Sequence, residues 1–269
     1  MAKFLTLNTH SWLGEDPKWA LETLGKQILK ADYDVIALQE VNQRIDSPDV
    51  LQAPYTLENQ HHLHEDNYAL KLVEYLKEKG ATYYFTWAYS HIGYDKYHEG
   101  VALLSKQPFS SEKSALTSAV DDEYNYHTRR ALIAKTTVAG KELCVVSGHF
   151  SWWKSDFKSE WHRLEKALVA EATPLVIMGD FNNPENTPGH ELVLASPLGL
   201  KDSHLAAKKV TGGPTILQDI DGWENNDKAL RIDFIFVSQQ LEVKESHVLF
   251  DGKKSPLISD HFGVECVIE

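Results

Sequence analysis

The chain has 269 residues, of which 42% are apolar and 25% charged, and its formal net charge is −12. This length and composition indicate a globular protein of one large or two modest domains. The acidic balance disfavours a protein that grips duplex DNA, because such proteins usually present a basic face. No run approaches the ~18 apolar residues of a membrane span, and the N-terminus shows no signal-peptide pattern. Cys144 and Cys266 lie in apolar runs that favour buried thiols over a disulfide, so we expect a cytoplasmic protein without membrane contact.

Two strands are expected near the N-terminus, and each ends in a polar side chain. Residues 3–9 alternate in character and predict a strand whose end carries Asn8, and residues 33–38 predict a second, buried strand that is followed by Glu40. Between them Asp16 can cap a helix that has Pro17 at its first position.

Residues 42–66 are expected to form a long polar connection, and a loop of that length is usually functional or mobile. Its histidines, His61, His62 and His64, fit a solvated loop better than a metal site. A second helix is expected to follow, with Gly80 just beyond its C-terminus.

The middle of the chain predicts several strands and one helix. We expect a loop over residues 90–99 and a hairpin turn at residues 139–141. The expected strands are 82–89, 100–104, 131–138 and 142–147, and an apolar stripe between residues 157 and 168 predicts the helix.

One buried strand ends in a cluster of polar residues. Residues 175–178 are a continuous apolar run, typical of a strand covered on both faces, and Asp180 and Asn182 follow it at once. Asp and Asn are also ordinary turn residues, so this short stretch alone leaves both interpretations open. The remaining expected strands are 231–237, which carries Asp233, 241–250 and 262–268.

Strands joined both by helices and by hairpins predict mixed sheets with helices packed outside. No repeat or linker is evident, so we expect residues 1–269 to form one domain. If the strand ends gather at one edge, their carboxylates repel one another unless a hard divalent cation such as Mg²⁺ is bound. The polar residues at these ends are Asn8, Glu40, Glu99, His149, Asp180, Asn182, Asp233, Asp260 and His261.

These residues and their neighbours together resemble the endonuclease/exonuclease/phosphatase superfamily, and they occur in the order typical of that family. The resemblance implies an α/β fold, a four-layered sandwich in which two mixed sheets pack face to face with helices outside. It also implies metal-dependent hydrolysis of a phosphoester. The motifs are Leu-Asn8-Thr, Gln-Glu40-Val, Glu99-Gly-Val-Ala, Ser-Gly-His149, Gly-Asp180-Phe-Asn182, Arg-Ile-Asp233 and Ser-Asp260-His261.

The resemblance also implies roles for the individual residues. Glu40 resembles the principal ligand of Mg²⁺, for which Mn²⁺ is an alternative, with Asn8 and Asp260 close by. Asp180 and Asn182 resemble the pair that orients the attacking water and steadies the phosphoryl oxygens.

Two histidines are expected to have carboxylate partners, which fix an imidazole tautomer and raise its pKa. His261 resembles the family histidine held by Asp233, and His149 resembles a second one paired with Glu99. Which of the two acts as acid or base stays open, and Asp233 could instead be paired with Arg231.

Substrate contacts are expected from three loops, residues 89–98, 124–130 and 150–153. An arginine there can bind a phosphate through two parallel hydrogen bonds, and the faces of aromatic rings suit sugar rings or bases. The tryptophans could also simply pack the edge of the domain. The candidate substrate-binding residues are Lys96, Tyr97, Arg129, Arg130, Trp152 and Trp153.

Three enzymatic functions and one non-enzymatic function are compatible with these features. The acidic charge and aromatic loops favour a phosphatase for a small sugar phosphate, with no stable nucleic acid complex. Within the family, residues 8–12 and 93–97 most resemble bacterial maltose 6'-phosphate phosphatases. A metal-dependent nuclease is the alternative, a sphingomyelinase-like phospholipid phosphodiesterase is a weaker one, and a binding module would require a missing site residue.

Overall fold

The computed structural model describes residues 1–50 and 61–269. Two β-sheets pack face to face and helices cover their outer faces, which confirms the predicted four-layered sandwich. The first sheet contains β1 (Ala2–Asn8), β2 (Val35–Arg44), β3 (Tyr84–Gly93), β4 (Tyr97–Ser105), β10 (Lys209–Thr211), β12 (Val243–Leu249) and β13 (Gly263–Ile268). The second contains β5 (Phe109–Leu116), β6 (Arg130–Val138), β7 (Lys141–His149), β8 (Leu175–Asp180), β9 (Leu200–Asp202) and β11 (Asp233–Ser238). The helices are α1 (Pro17–Ala31), α2 (Tyr68–Glu78), α3 (Phe157–Leu168), α4 (Pro188–Leu194) and α5 (Ser203–Ala206), with a 3₁₀ turn at Ser11–Leu13.

Both sheets are mixed. The strand order is β10-β12-β13-β1-β2-β4-β3 in the first sheet and β5-β6-β7-β8-β11-β9 in the second. The central pairs β1–β2 and β7–β8 are parallel, whereas most of the other pairs are antiparallel. Parallel neighbours bring their C-terminal ends to the same edge of a sheet. Asn8 and Gln39 therefore lie side by side in one sheet, and His149 and Asp180 in the other.

Alternate residues of the central strands face two different hydrophobic layers. Phe4 of β1 points into the core between the sheets, whereas Leu5 points outward against α1 and α2. In the second sheet Met178 faces the inner core and Ile177 packs towards Trp161 of α3. Both faces are buried, which is why these strands read as continuous apolar runs rather than as alternating ones.

The first two helices begin and end at residues that the sequence marks. The Asp16 side chain accepts a hydrogen bond from the backbone N–H of Trp19, and Pro17 is the first helical residue. The side chain of Asn67 caps α2 in the same way, and Gly80 follows that helix with a φ of 87°. Within the described ranges, no helix is long and apolar enough to cross a membrane.

Two expectations about local structure are wrong, and an edge strand was missed. The polar connection does not begin at residue 42, because β2 continues through a bulge at Glu40 to Arg44; residues 51–60 lie outside the described part of the chain. The expected loop 90–99 is instead the tip of the β3–β4 hairpin, which turns at Tyr94 and Asp95 with positive φ angles. Strand β5 was not predicted, since it is an edge strand with a largely polar sequence.

Candidate active site

Two carboxylates and one imidazole lie together where β8 and β11 pair. Asp180 and Asp233 are direct partners in the register of these antiparallel strands. His261 follows β12 and directs its Nδ1 at both oxygens of Asp233, at 3.2 and 3.0 Å, while its Nε2 lies 3.7 Å from Asp180 Oδ2. Asp233 is therefore paired with His261. Arg231, which was the alternative partner of Asp233, contacts Asp202 and Glu185 instead.

The burial of this group changes its proton affinities. Burial disfavours the charged carboxylate of Asp180 and raises its pKa to about 7. The charge of His261 opposes this effect, and the charge of Asp233 adds to it. Burial alone would lower the pKa of His261, but the charges of Asp233 and Asp180 raise it well above its ordinary value. The group therefore retains a proton near neutral pH, shared between a carboxylate and an imidazole.

A second acidic pair lies on the other side of Asp180. The Glu40 Oε2 and Asp260 Oδ2 atoms lie 3.4 and 3.7 Å from Nδ1 of His10. Asn8 connects the two groups, because its Nδ2 donates to Glu40 Oε1 at 2.8 Å and to Asp180 Oδ2 at 3.2 Å. Burial and the neighbouring charges of Glu99 and Asp260, opposed by a hydrogen bond with His10, raise the pKa of Glu40.

These oxygen donors suit a hard divalent cation. One oxygen of Glu40 and one of Asp260 each lie within 4.0 Å of His10 Nδ1, and in the described chain no lysine or arginine nitrogen lies within 4.0 Å of either carboxylate. Asp180, Asp233 and His261 offer a further set, since one ligand atom from each lies within 4.8 Å of the others. Several carboxylates this close together, with no lysine or arginine beside Glu40 and Asp260, fit the ligand chemistry of Mg²⁺ or Mn²⁺.

His149 has a different partner from the one expected. Its Nδ1 accepts a hydrogen bond from Arg129 Nη1 at 3.3 Å, and its Nε2 faces Asp180 Oδ2 at 3.5 Å. Burial, together with the charge of Arg129, lowers the pKa of His149 well below its ordinary value. His149 is therefore a neutral imidazole that carries its proton on Nε2.

The expected pairing of His149 with Glu99 is wrong, because Glu99 is paired with His91 instead. Glu99 lies in β4 opposite His91 of β3, and its Oε1 is 3.4 Å from His91 Nε2. Burial alone would raise the pKa of Glu99, but His91 and Arg129 lower it. The register of the β3–β4 hairpin places His91 opposite Glu99, and the sequence alone does not reveal that register.

Asn182 is held in one orientation by its surroundings. Its backbone has a φ of 48°, and its N–H donates to Asp180 Oδ1 at 2.8 Å. The side-chain oxygen accepts a 2.8 Å hydrogen bond from Nε1 of Trp223. Its Nδ2 therefore donates to the Phe150 carbonyl at 3.0 Å and lies 3.3 Å from His149 Nε2, which is itself a donor.

Close backbone contact between β7 and β8 brings His149 and Asp180 together. Gly148 and Gly179 are partners in the register of these two strands. A Cβ atom on Gly179, whose φ is 151°, would overlap the carbonyl of Gly148. Only glycine fits there, and the residues that follow each glycine carry the functional side chains.

A cavity of about 620 Å³ opens above these groups. Its walls come from the β3–β4 hairpin, residues 126–129, the segment after β7 and the loop 221–224. A volume of this order suits a small-molecule ligand. The lining residues outside the acidic cluster include Tyr94, Tyr126, His127, Trp152, Asp221 and Glu224. A larger cavity of about 790 Å³ between α2 and β3 contains none of the candidate catalytic residues.

The candidate substrate-binding residues separate into two groups. Arg129 and Trp152 line the cavity, but Lys96, Tyr97, Arg130 and Trp153 do not. Lys96 lies over the ring of Tyr97 in the hairpin, Arg130 pairs with Asp121, and Trp153 is 41% exposed. Adjacent residues such as Arg129 and Arg130 point in opposite directions in extended chain, which a sequence motif cannot resolve.

Sequence reasoning missed several residues of the site. His91 was not singled out, and His10 was noticed only as part of the motif at residues 8–12, because the role of each depends on long-range neighbours. Asp221 lies in an irregular loop, where its side chain accepts a hydrogen bond from Tyr94 Oη. Trp223 lies in the same irregular loop, and its indole contacts Asn182 directly.

The site geometry agrees with the comparisons to known proteins. The sequence pattern of the Endonuclease/Exonuclease/phosphatase family matches residues 11–261. The chain therefore belongs to this family. No protein in the curated set matches the sequence.

Similar solved structures cover the whole chain. A family protein from Leptotrichia buccalis C-1013-b is 31% identical, with a TM-score of 0.88 and complete coverage of both chains. The mannosyl-6-phosphatase of Bacteroides thetaiotaomicron VPI-5482 is 17% identical, with a TM-score of 0.71 and complete coverage of both chains. TDP2 of D. rerio, in complex with a single-strand DNA product, is 16% identical with a TM-score of 0.66, covering 100% of this chain and 98% of its own. The last two likenesses concern the fold alone.

Proposed function

We propose that this protein is a metal-dependent phosphomonoester hydrolase whose substrate is a small phosphorylated sugar. The observation that carries the proposal is the buried guanidinium of Arg129, which faces the cavity beside His149. Only 5% of this residue is exposed, and within the described chain none of its nitrogens lies within 4.0 Å of a carboxylate oxygen. Its Nε is buried and has no hydrogen-bond partner. A buried arginine with unused donors suits the oxygens of a phosphate dianion.

The side chains around Arg129 can assist attack by water. Asp180, with a pKa of about 7, is suited to accept a proton from a water molecule near neutral pH. The water oxygen then bonds to phosphorus, the bond from phosphorus to the sugar oxygen breaks, and the leaving oxygen takes a proton from solvent. Asn182, the Nε2–H of His149 and cationic His261 stabilise the charge on the phosphoryl oxygens.

Glu40 and Asp260 would hold a divalent ion, Mg²⁺ or Mn²⁺, next to this centre. When bound, such an ion neutralises phosphoryl charge and activates water. Asn8 holds Glu40 and Asp180 in fixed relative positions through its two donated hydrogen bonds. Asp233 keeps the ring of His261 oriented.

The cavity wall supports a sugar as the leaving group. Aromatic faces of Tyr94, Tyr126 and Trp152 suit the apolar face of a sugar ring, and the carboxylates of Asp221 and Glu224 can accept hydrogen bonds from hydroxyl groups. The same carboxylates and the net charge of −12 disfavour a polyanion such as DNA. A stable nucleic acid complex is therefore not part of the proposal.

The proposal includes a single catalytic domain over residues 1–269 and a cytoplasmic location. Cys144 and Cys266 are buried free thiols, which is compatible with a reducing compartment. A role in carbohydrate metabolism follows from the proposed substrate.

A panel of phosphoesters tests the proposal. Inorganic phosphate is measured from maltose 6'-phosphate, mannose 6-phosphate, glucose 6-phosphate and mononucleotides. Strand cleavage is measured for single-stranded and duplex DNA, and phosphocholine for sphingomyelin vesicles. Each substrate is tested with Mg²⁺, with Mn²⁺ and with a chelator. We expect the highest kcat/KM for a sugar phosphate and no turnover with the chelator, and Asp180→Asn is the inactive control. Cleavage of DNA that weakens steeply with salt would instead identify a nuclease. Release of phosphocholine would identify a phospholipid phosphodiesterase.

A further inference from the structure

The imidazole of His10 lies between the two carboxylates that are proposed to hold the metal. Its Nδ1 is 3.4 Å from Glu40 Oε2 and 3.7 Å from Asp260 Oδ2. Neighbouring ligands of an octahedral ion, each about 2.1 Å from it, lie about 3 Å apart. Opposite ligands of such an ion lie about 4.2 Å apart, so the His10 nitrogen is at ligand-to-ligand distance from each of the two carboxylates.

The position of His10 is fixed by the backbone around it. His10 and Ser11 both have positive φ angles, 48° and 38°. The backbone N–H of His10 donates to Asn8 Oδ1 at 3.3 Å, and Ser11 Oγ accepts from the backbone N–H of Asn42 at 3.2 Å. Such conformations persist only where the surrounding structure enforces them, and they cluster at functional sites.

Glu40 is held in a comparable way on the neighbouring strand β2. It lies in the β-bulge of β2, where the pairing with β4 shifts between Leu38 and Val41, and its φ is 51°. The bulge turns the Glu40 side chain out of the regular alternation of the strand. Two strained backbone positions thus direct a carboxylate and an imidazole at the same point.

We propose that the imidazole of His10 is a nitrogen ligand to the ion held by Glu40 and Asp260. Imidazole nitrogen suits first-row transition ions, whereas Mg²⁺ prefers a shell made of oxygen. His10 therefore shifts the preference of the site towards a transition ion, for which Mn²⁺ is the probe. The inference depends on the proposed metal site but not on the identity of the sugar.

Two substitutions separate the ligand role from a structural one. Asparagine and aspartate tolerate a positive φ better than most residues, so His10→Asn and His10→Asp suit the local backbone. His10→Asn removes the imidazole nitrogen from the site. His10→Asp replaces it with oxygen, which should favour Mg²⁺.

The test is binding of Mn²⁺ and Mg²⁺, measured by isothermal titration calorimetry on the full chain without substrate. For His10→Asn we expect the Kd of Mn²⁺ to rise at least about tenfold, and the Kd of Mg²⁺ to change less than about threefold. His10→Asp should reverse the preference of the wild type for Mn²⁺. If His10→Asn changed the Kd of both ions by the same factor, or lowered both, His10 would be only a hydrogen-bond partner of the metal-free carboxylates.

Pulsed electron paramagnetic resonance of bound Mn²⁺ gives an independent readout. We expect coupling to a directly bound nitrogen in the wild type, its loss in His10→Asn, and its persistence in His261→Asn. The opposite pattern would assign the nitrogen to His261 and overturn the inference. A wild-type protein that binds neither ion would overturn the proposed metal site as well.

Discussion

The indole Nε1–H of Trp223 donates a 2.8 Å hydrogen bond to the side-chain oxygen of Asn182. The two residues are 41 positions apart in the chain. Because the oxygen is occupied, the amide nitrogen of Asn182 is left to face His149 and the cavity. Gly222 of the same loop packs against the ring of Trp152. One irregular loop thus both lines the cavity and orients the side-chain amide of Asn182, a proposed catalytic group.

Trp223→Phe should lower kcat while leaving KM nearly unchanged. The phenyl ring keeps most of the packing but lacks the donor, and one hydrogen bond contributes about 0.5–1.5 kcal/mol, or roughly 2- to 13-fold in rate. Steady-state kinetics on any hydrolysed phosphomonoester measures this. Trp153→Phe, at an exposed residue that does not line the cavity, is the matched control. An equal loss in both variants, or a change confined to KM, would contradict the positioning role.

Asp233→Asn should reduce kcat by ~10²–10³, the range seen when one group that stabilises the reacting oxygens is lost. The variant keeps the size of the side chain but removes the charge that raises the pKa of His261. His261 should then lose its proton at a lower pH, so the alkaline fall in rate should begin earlier than in the wild type. A pH–rate profile of both proteins checks this, with exposed Asp227→Asn as the control. Superimposable profiles would refute the assigned partnership.

Arg129→Met should raise KM for a phosphomonoester by about 10- to 100-fold, since hydrogen bonds to charged groups contribute roughly 1.5–3 kcal/mol. Arg130→Met is a closely matched control, because this neighbour pairs with Asp121 outside the cavity. Its loss should cost at most about 1 kcal/mol of stability and leave the kinetics unchanged. Similar kinetic losses in the two variants would show that phosphate is not bound by Arg129.

Glu40→Gln should raise the melting temperature measured in a chelator. The wild-type carboxylate is buried among other carboxylates, which raises its pKa and disfavours the charged form. The same variant should lose most of the increase in melting temperature that Mg²⁺ or Mn²⁺ gives the wild type. Exposed Glu78→Gln is the control. If Glu40→Gln kept the full response to the ion, Glu40 would not be its ligand.

His98 should make the fold sensitive to mild acid. Burial, helped by the neighbouring His61 and His64, lowers the pKa of His98 to about 4, although Glu123 and Asp66 oppose the change. The unfolded chain takes up a proton near the ordinary pKa of 6.5 and the folded chain does not, so stability should fall between pH 6.5 and about 4. The loss is at most about 3 kcal/mol.

Chemical denaturation at several pH values measures the free energy of unfolding as a function of pH. His98→Phe should remove the contribution of His98 to the slope of that curve. Phenylalanine retains the ring that packs against Tyr89 at a centroid distance of 5.2 Å. The buried Nδ1 of His98 has no hydrogen-bond partner, so the substitution breaks none there. An unchanged slope would assign the acid sensitivity to other groups.

Local chemistry made part of this structure predictable. A buried strand must be apolar, so residues 175–178 marked β8, and the polar residues after it marked the edge where Asp180 and Asn182 lie. The start of α1 at Asp16 depends on a hydrogen bond within one turn. Such features need no knowledge of distant contacts.

By itself, the sequence determined which strands are buried, which residues end them, and the family to which the chain belongs. The tertiary structure decided the partners: Glu99 faces His91 rather than His149, Arg129 rather than Arg130 enters the cavity, and His10 lies between Glu40 and Asp260. These outcomes depend on hairpin register, on a bulge and on left-handed backbone positions. A shift of one residue turns a side chain to the opposite face of a sheet, and only long-range packing fixes that choice.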